Sequence, residues 1–151
     1  QGMMHHSMVK PTWVIPDPSG KKLYIAGNGS NEIIEVDIND WSIKNRIDTG
    51  KGPYNVDVSP NGKYLIATLK GEGKTAIWEL DKKRKSLISN TSSVSHGVVI
   101  SPDSKYAFVS VEGKGGEPGL VDVIDIKKSK IVSSVNIGKQ AGGIPFWKLE
   151  Q

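Results

Sequence analysis

Thr12, Tyr54 and His96 stand 42 residues apart and would set a hydroxyl, a phenol and an imidazole at one repeated position. An imidazole that titrates near neutral pH can bind a metal or haem iron, or move a proton. A protein-held metal needs three or four such ligands. The chain offers no Cys and no carboxylate in ligand spacing with His96, so His96 reads first as a polar residue suited to its repeat position and only second as a ligand. His5 and His6, beside Met3, Met4 and Met8, would suit copper; they also fit a tag-derived or disordered terminus. Tyr54 and Asn55 could hydrogen-bond a ligand, or serve packing between neighbouring elements. Lys74 in GEGKTA and Glu112 and Lys114 in EGKGGEPG are charged residues in glycine-rich segments. A phosphate loop needs its Gly-Lys-Thr to open a helix after a strand, with a further glycine in fixed spacing. GEGKTA has neither, and reads as a hairpin loop. No Ser-His-Asp order, HExxH helix or carboxylate pair emerges, so nothing in the sequence supports an enzyme.

What must position these residues is a repeat. GPYNVDVSPNGKYLIAT, residues 52–68, returns as VSHGVVISPDSKYAFVS at 94–110 and is anticipated by KPTWVIPDPSGKKLYIAG at 10–27. Pro18, Pro60 and Pro102 correspond, as do Gly20, Gly62 and Ser104, then Lys21, Lys63 and Lys105. Ser104 replaces the glycine that can take positive φ freely, which predicts a strained turn or one of another type. Each copy holds short runs rich in Val, Ile, Tyr and Trp between turn residues, and none holds ten residues at helical spacing. Four short strands per copy of about 42 residues describe a β-propeller blade. The expected fold is therefore all-β: blade 1 over 10–49, blade 2 over 50–91, blade 3 over 92–138. GKQAGGIPFW, 138–147, repeats GKGPYNVDVS, 50–59, and predicts the first strand of a fourth blade within 139–151. Residues 1–9 read as a tag or disordered terminus, and LEQ at 149–151 as vector-derived. Asp37, Asp81 and Asp125 are aligned as strand-end acids that accept backbone N–H groups. That alignment makes each copy two residues longer than the last between its second and third strands. Three blades and a strand fall short of the four to eight that close a ring. A partial propeller is expected, either part of a longer one or a chain that completes a ring with other copies of itself.

Charge and hydropathy narrow the partners. A net charge of +4 with scattered Lys residues gives no basic stripe for nucleic acid. No apolar stretch approaches the roughly 18 residues that cross a bilayer, so no membrane insertion is expected. The run DKKRKS, 81–86, reads as a solvated turn, with acidic-partner binding as the other option. The triplets at 28–30 and 90–92 match the glycosylation pattern.

SPNGKYLIAT…IWELD and SPDSKYAFVS…VDVIDIKKSKIVSSVNIG resemble YVTN-type β-propeller repeats, across residues 10–147. LYIAG, LIATL and AFVSV depart from the Tyr-Val-Thr-Asn of the family's name. The resemblance implies an extracytoplasmic protein, in the periplasm or at the cell surface. It implies a non-catalytic binding or scaffold role toward a protein or polysaccharide, with no cofactor. Related propellers that act as enzymes or hold haem supply the alternative, a haem or transition-metal site at the central channel. The blade topology puts the starts of first strands (Thr12, Tyr54, His96) and the second-to-third-strand loops on one face, the top. Trp13 would plug the channel or pack against a neighbouring blade, and Trp78 would fill the space between blades. Variable loops on a rigid scaffold commonly carry function, so Thr12, Tyr54, Asn55, His96, Lys74, Glu112 and Lys114 are the candidate site residues.

Overall fold

The computed structural model describes residues 8–146. Its strands are β1 (Pro11–Pro16), β2 (Lys22–Gly27), β3 (Glu32–Asp37), β4 (Ile43–Asp48), β5 (Pro53–Val58), β6 (Tyr64–Leu69), β7 (Lys74–Glu79), β8 (Arg84–Ser89), β9 (Val94–Ile100), β10 (Tyr106–Glu112), β11 (Gly119–Asp125) and β12 (Lys130–Gly138). They form three antiparallel sheets of four, each in sequence order. No helix occurs among the described residues. β1 lies against β5 and β5 against β9, so the first strand of each sheet is innermost. β4, β8 and β12 are largely exposed at the periphery.

The middle sheet explains its own sequence. In β6, Leu65 and Ala67 pack with Tyr24, Ala26 and Ile33 of the first sheet, while Ile66 packs with Val98, Ala107 and Ile124 of the third. A strand buried on both faces reads as a continuous apolar run rather than an alternation, as YLIATL does. Trp78 belongs to the first of these clusters, as inter-blade filling.

The β1–β2, β5–β6 and β9–β10 turns are alike. Gly20 and Gly62 have φ of +67° and +70°, and Ser104 takes the same left-handed backbone at +59°. The serine therefore keeps the turn type at the cost of strain, and its Oγ accepts a bond from the Asn61 N–H at 3.2 Å, tying one turn to the next.

Two expectations are corrected. Strand pairing sets Lys22 opposite Asp37, Tyr64 opposite Glu79 and Tyr106 opposite Asp125. The strand-end acid of the second blade is therefore Glu79, and Asp81 lies in the following turn. Trp41, Lys83 and Ser129, each four residues past these anchors, all have left-handed φ. Asp37 and Asp125 accept the N–H groups of Asn39 and Lys128, whereas Glu79 instead pairs with Lys82 and Arg84. Nor does each copy lengthen in turn. The loops 28–31 and 70–73 are equal in length, and only the third, 113–118, is longer.

Beyond β12, residues 139–146 join no strand ladder among the described residues. They nevertheless lie along the third sheet: Ala141 is buried, and the Ser110 hydroxyl donates to the Gly142 carbonyl. Thr68, at the equivalent place in the second sheet, donates to the His96 carbonyl. The segment thus occupies the place of a next innermost strand without a strand to pair with.

Asp57 on β5 links two sheets, its carboxylate accepting the Ile100 N–H at 2.9 Å and the adjacent Val58 N–H at 2.8 Å. Burial outweighs these two bonds and pushes its pKa up to about 6. In the fold it keeps its proton after the unfolded chain has released it near pH 4. Its contribution to stability is therefore complete below about pH 4 and declines as pH rises to about 6, by on the order of 2–3 kcal/mol. Asp57→Asn should abolish that decline, read as the difference between the two proteins' urea-unfolding free energies across the window. At Ser104, glycine should fall within about 0.5 kcal/mol of the parent, because strain relief offsets the lost bond. Alanine keeps the strain, loses the bond and should cost about 1 kcal/mol in the same assay.

Candidate functional site

The starts of β5 and β9 bring Tyr54 and His96 together at the top of the inner strands. Their rings lie 4.4 Å apart between centroids, at 53°. The Lys70 ammonium stands 4.6 Å from the Tyr54 centroid and 3.9 Å from Glu112 Oε1. Glu112 Oε1 in turn lies 3.4 Å from His96 Nε2. Lys70, Tyr54, His96 and Glu112 therefore form one cluster, built by the starts of first strands and the ends of second strands.

Small hydroxyls fix this geometry. Thr68 Oγ1 accepts the Asn55 N–H at 3.1 Å and donates to the His96 carbonyl at 2.6 Å. Ser110 Oγ likewise accepts the Gly97 N–H at 2.8 Å. A threonine or serine at this repeat position therefore holds an innermost strand to the next one. Thr12 acts similarly from the first sheet, its hydroxyl donating to the Tyr54 carbonyl at 2.7 Å. That hydroxyl is structural rather than free for a ligand.

The electrostatics favour a neutral imidazole. Burial lowers the His96 pKa most, the Lys70 charge lowers it further, and the Glu112 charge opposes both. His96 Nδ1 is buried without a hydrogen-bond partner, as is Oδ1 of Asn55, a residue only 4% exposed. The cluster offers a cation over an aromatic face, a carboxylate and a neutral imidazole, with no nucleophile held beside a base. It is equipped to recognise a ligand by charge and stacking.

The other candidates lie apart from the cluster. Lys74 pairs with Glu72 at 3.1 Å, and Glu72 accepts the Lys51 N–H, so this lysine braces the link between the first two sheets. Lys114 lies in the long loop, where its backbone N–H reaches Glu117. Trp13 is 47% exposed and shares an apolar recess with Pro11, Val14 and Ile25. His5 and His6 lie outside the described residues. No group of three or more His, Cys, Asp or Glu positioned for a metal occurs among the described residues. In the 90–92 triplet, the Asn90 amide donates to Asp122 and accepts from Thr75. Lys70 was missed by sequence reasoning, yet a signal existed: Asn28, Lys70 and Glu112 occupy one repeat position, with opposite charges in adjacent copies.

No family model matches the chain, and no curated protein matches it. Among solved structures it is similar to hydrazine synthase from Kuenenia stuttgartiensis, with 22% identity over 93% of this chain and 40% of that one, at a TM-score of 0.81. It is also similar to U3-55K, with 14% identity over 87% of this chain and 40% of that one, and a TM-score of 0.74. The WD40 repeats of RRP9 give 14% identity over 87% and 39%, again with a TM-score of 0.74. The fold is a partial β-propeller. Identities this low establish the fold alone. The chain spans about 40% of the length of the propeller chains it matches.

The cluster's wiring can be read by titration. The His96 imidazole should titrate below its ordinary value in an NMR pH series. Lys70→Gln should raise that pKa and Glu112→Gln should lower it. Shifts of the opposite sign, or none, would show that the two charges do not face the ring.

Proposed function

We propose that this chain is a non-catalytic binding or scaffold part of a YVTN-type propeller that engages a protein or cell-surface polysaccharide through its top face, outside the cytoplasm. The observation that carries this reading is the Lys70–Tyr54–His96–Glu112 cluster, where both signs of charge and two aromatic rings meet at the top end of the inner strands. Such a surface binds by charge complementarity and stacking, and lacks the paired acid, base and nucleophile of a reaction centre. Protein recognition is the more general use of propeller faces, and the likeness to WD40 repeats supports it through the shared fold.

Self-association belongs to the same proposal. The face of the first sheet turned away from the second carries Val14 and Ile43, both more than half exposed, alongside Leu23, Ile25 and Val36. Apolar sheet faces of this kind are covered by a neighbouring blade in a closed ring, and another copy of the chain can supply one.

Native mass spectrometry, with haem and transition metals supplied, tests these points together. The expected result is an oligomer without adducts. A single-chain mass persisting at high concentration would remove self-association from the proposal. A haem or metal adduct lost in His96→Ala would replace the binding role with a cofactor site. For the top face itself, a glycan array and a peptide array should give signals that Lys70→Ala with Glu112→Ala weakens at least tenfold. Signals untouched by that pair would place binding elsewhere.

A further inference from the structure

At the opposite end of the blades, a recess of roughly 680 Å³ opens between the first and second sheets. Ile47, Val58 and Leu80 give it apolar walls, and the turns around Pro18, Gly62 and Asp81 form its mouth. Tyr24 and Trp78 line it too, 4% and 8% exposed, and neither the phenol O–H nor the indole N–H has a hydrogen-bond partner among the described residues. Glu35 stands beside them, 13% exposed, held by Lys22 at 2.7 Å.

The repeat supplies an internal control. The positions of Tyr24, Glu35 and Trp78 at this junction correspond to Ile66, Ile77 and Ile124 at the junction of the second and third sheets. Those three isoleucines are buried core. The second junction also leaves a recess at this end, lined by Tyr64, Tyr106 and charged residues of the turns, yet it carries only aliphatic carbon at these three places. The first junction instead carries two unpartnered donors and a carboxylate at the same three positions. Neither donor is among the buried side-chain atoms left without a partner, so both reach the open space of the recess, which is where their partners would come from.

We infer that this groove binds an extended peptide segment of a partner protein, with one large apolar side chain in the recess and its backbone bonded to Tyr24, Trp78 and Glu35. A peptide backbone presents both C=O acceptors, which match the phenol and the indole, and N–H donors, which match the carboxylate. The mouth carries both signs of charge, with Lys22, Arg46 and Lys83 set among Asp17, Glu79 and Asp81, and so suits a chain of mixed charge better than a polyanion. A sugar is disfavoured because it stacks on an open aromatic face. Tyr24 is almost wholly buried, and Lys85 lies over the Trp78 ring at 5.4 Å. This site lies at the other end of the blades from the top-face cluster and does not depend on it.

The test uses the whole chain, labelled with ¹⁵N, and follows the Trp78 indole N–H resonance. The probes are capped pentapeptides Gly-Ser-X-Ser-Gly, with X running through the amino acids, and cellohexaose. Peptides with X as Leu, Ile, Met or Phe should move the resonance saturably, and those with X as Ala or Asp should not. Tyr24→Phe, which keeps the ring, should weaken binding about fivefold, the loss of one neutral hydrogen bond, with an unchanged melting temperature. Glu35→Gln, which loses the carboxylate charge and the Lys22 pair, provides a second variant that should also weaken binding, should Tyr24→Phe fold poorly. Lys70→Ala should leave binding as it was, which separates this groove from the top face. The proposal is overturned if no peptide gives a saturable shift, if cellohexaose binds as well as the peptides, or if both variants bind like the parent.

Discussion

A four-stranded sheet with apolar residues on both faces cannot stand alone in water, and everything else in this molecule follows from that. The middle sheet is the clearest case. Leu65 and Ile66, neighbours in sequence and both wholly buried, point into different clusters on either side of β6. Burying one such side chain is worth about 1.5–3 kcal/mol, and β6 places such neighbours into two junctions at once. Stability therefore resides in stacking, and a blade's fold is inseparable from its neighbours'.

Apolar stacking fixes distance but is tolerant of sliding, because it has no direction. Direction comes from a few polar bonds between sheets. Thr12, Thr68 and Ser110 each bind a carbonyl of the next innermost segment, and Asp57 binds the Ile100 N–H from the side. At the periphery, Asp122 is fully buried and accepts bonds from the Thr91 hydroxyl and N–H, the Asn90 amide and the Ser134 hydroxyl. These contacts hold the link between the second and third sheets against the third. A buried carboxylate is tolerable only when its oxygens are met in this way. The Tyr54–His96 contact inherits its geometry from the same stitches, since Thr68 binds the backbone of His96 itself.

The repeat made the architecture legible. Ser-Pro turns, Lys-Tyr pairs and apolar runs recur at one spacing, and a strand's two-residue period leaves little choice of face once the runs are aligned. That period also explains the misplacement of the second strand-end acid. Taking Asp81 for Glu79 shifts the strand by two residues, which returns every side chain to the face it started on. Hydrophobic alternation cannot detect such a slip, and only the hydrogen-bond register can. At the candidate site, Tyr54 and His96 were readable because their backbones occupy one repeat position, while Glu112 was drawn from its glycine-rich segment. Lys70 shares the repeat position of Glu112 but was passed over, because its part depends on where a long, flexible side chain turns at the end of a strand. Lys74 and Lys114 were nominated from glycine-rich loops whose direction spacing does not encode.

The two ends of the blades have been freed from repetition in different ways. At the top, one repeat position changes from Asn28 to Lys70 to Glu112, so neighbouring blades carry opposite charges that meet across His96. Such a change alters the surface while leaving the stacking intact, because these residues stand at or just past the ends of the second strands. At the bottom, the variation reaches into the packed layer itself, with Tyr24, Glu35 and Trp78 where the next junction has isoleucine. Replacing aliphatic packing with polar side chains carries a desolvation cost wherever the polar atoms lack partners. Variation at a rim is thermodynamically cheap and is expected on any propeller. Variation inside a junction opposes the force that holds the blades together, which makes the junction between the first two sheets the more informative departure from the repeat.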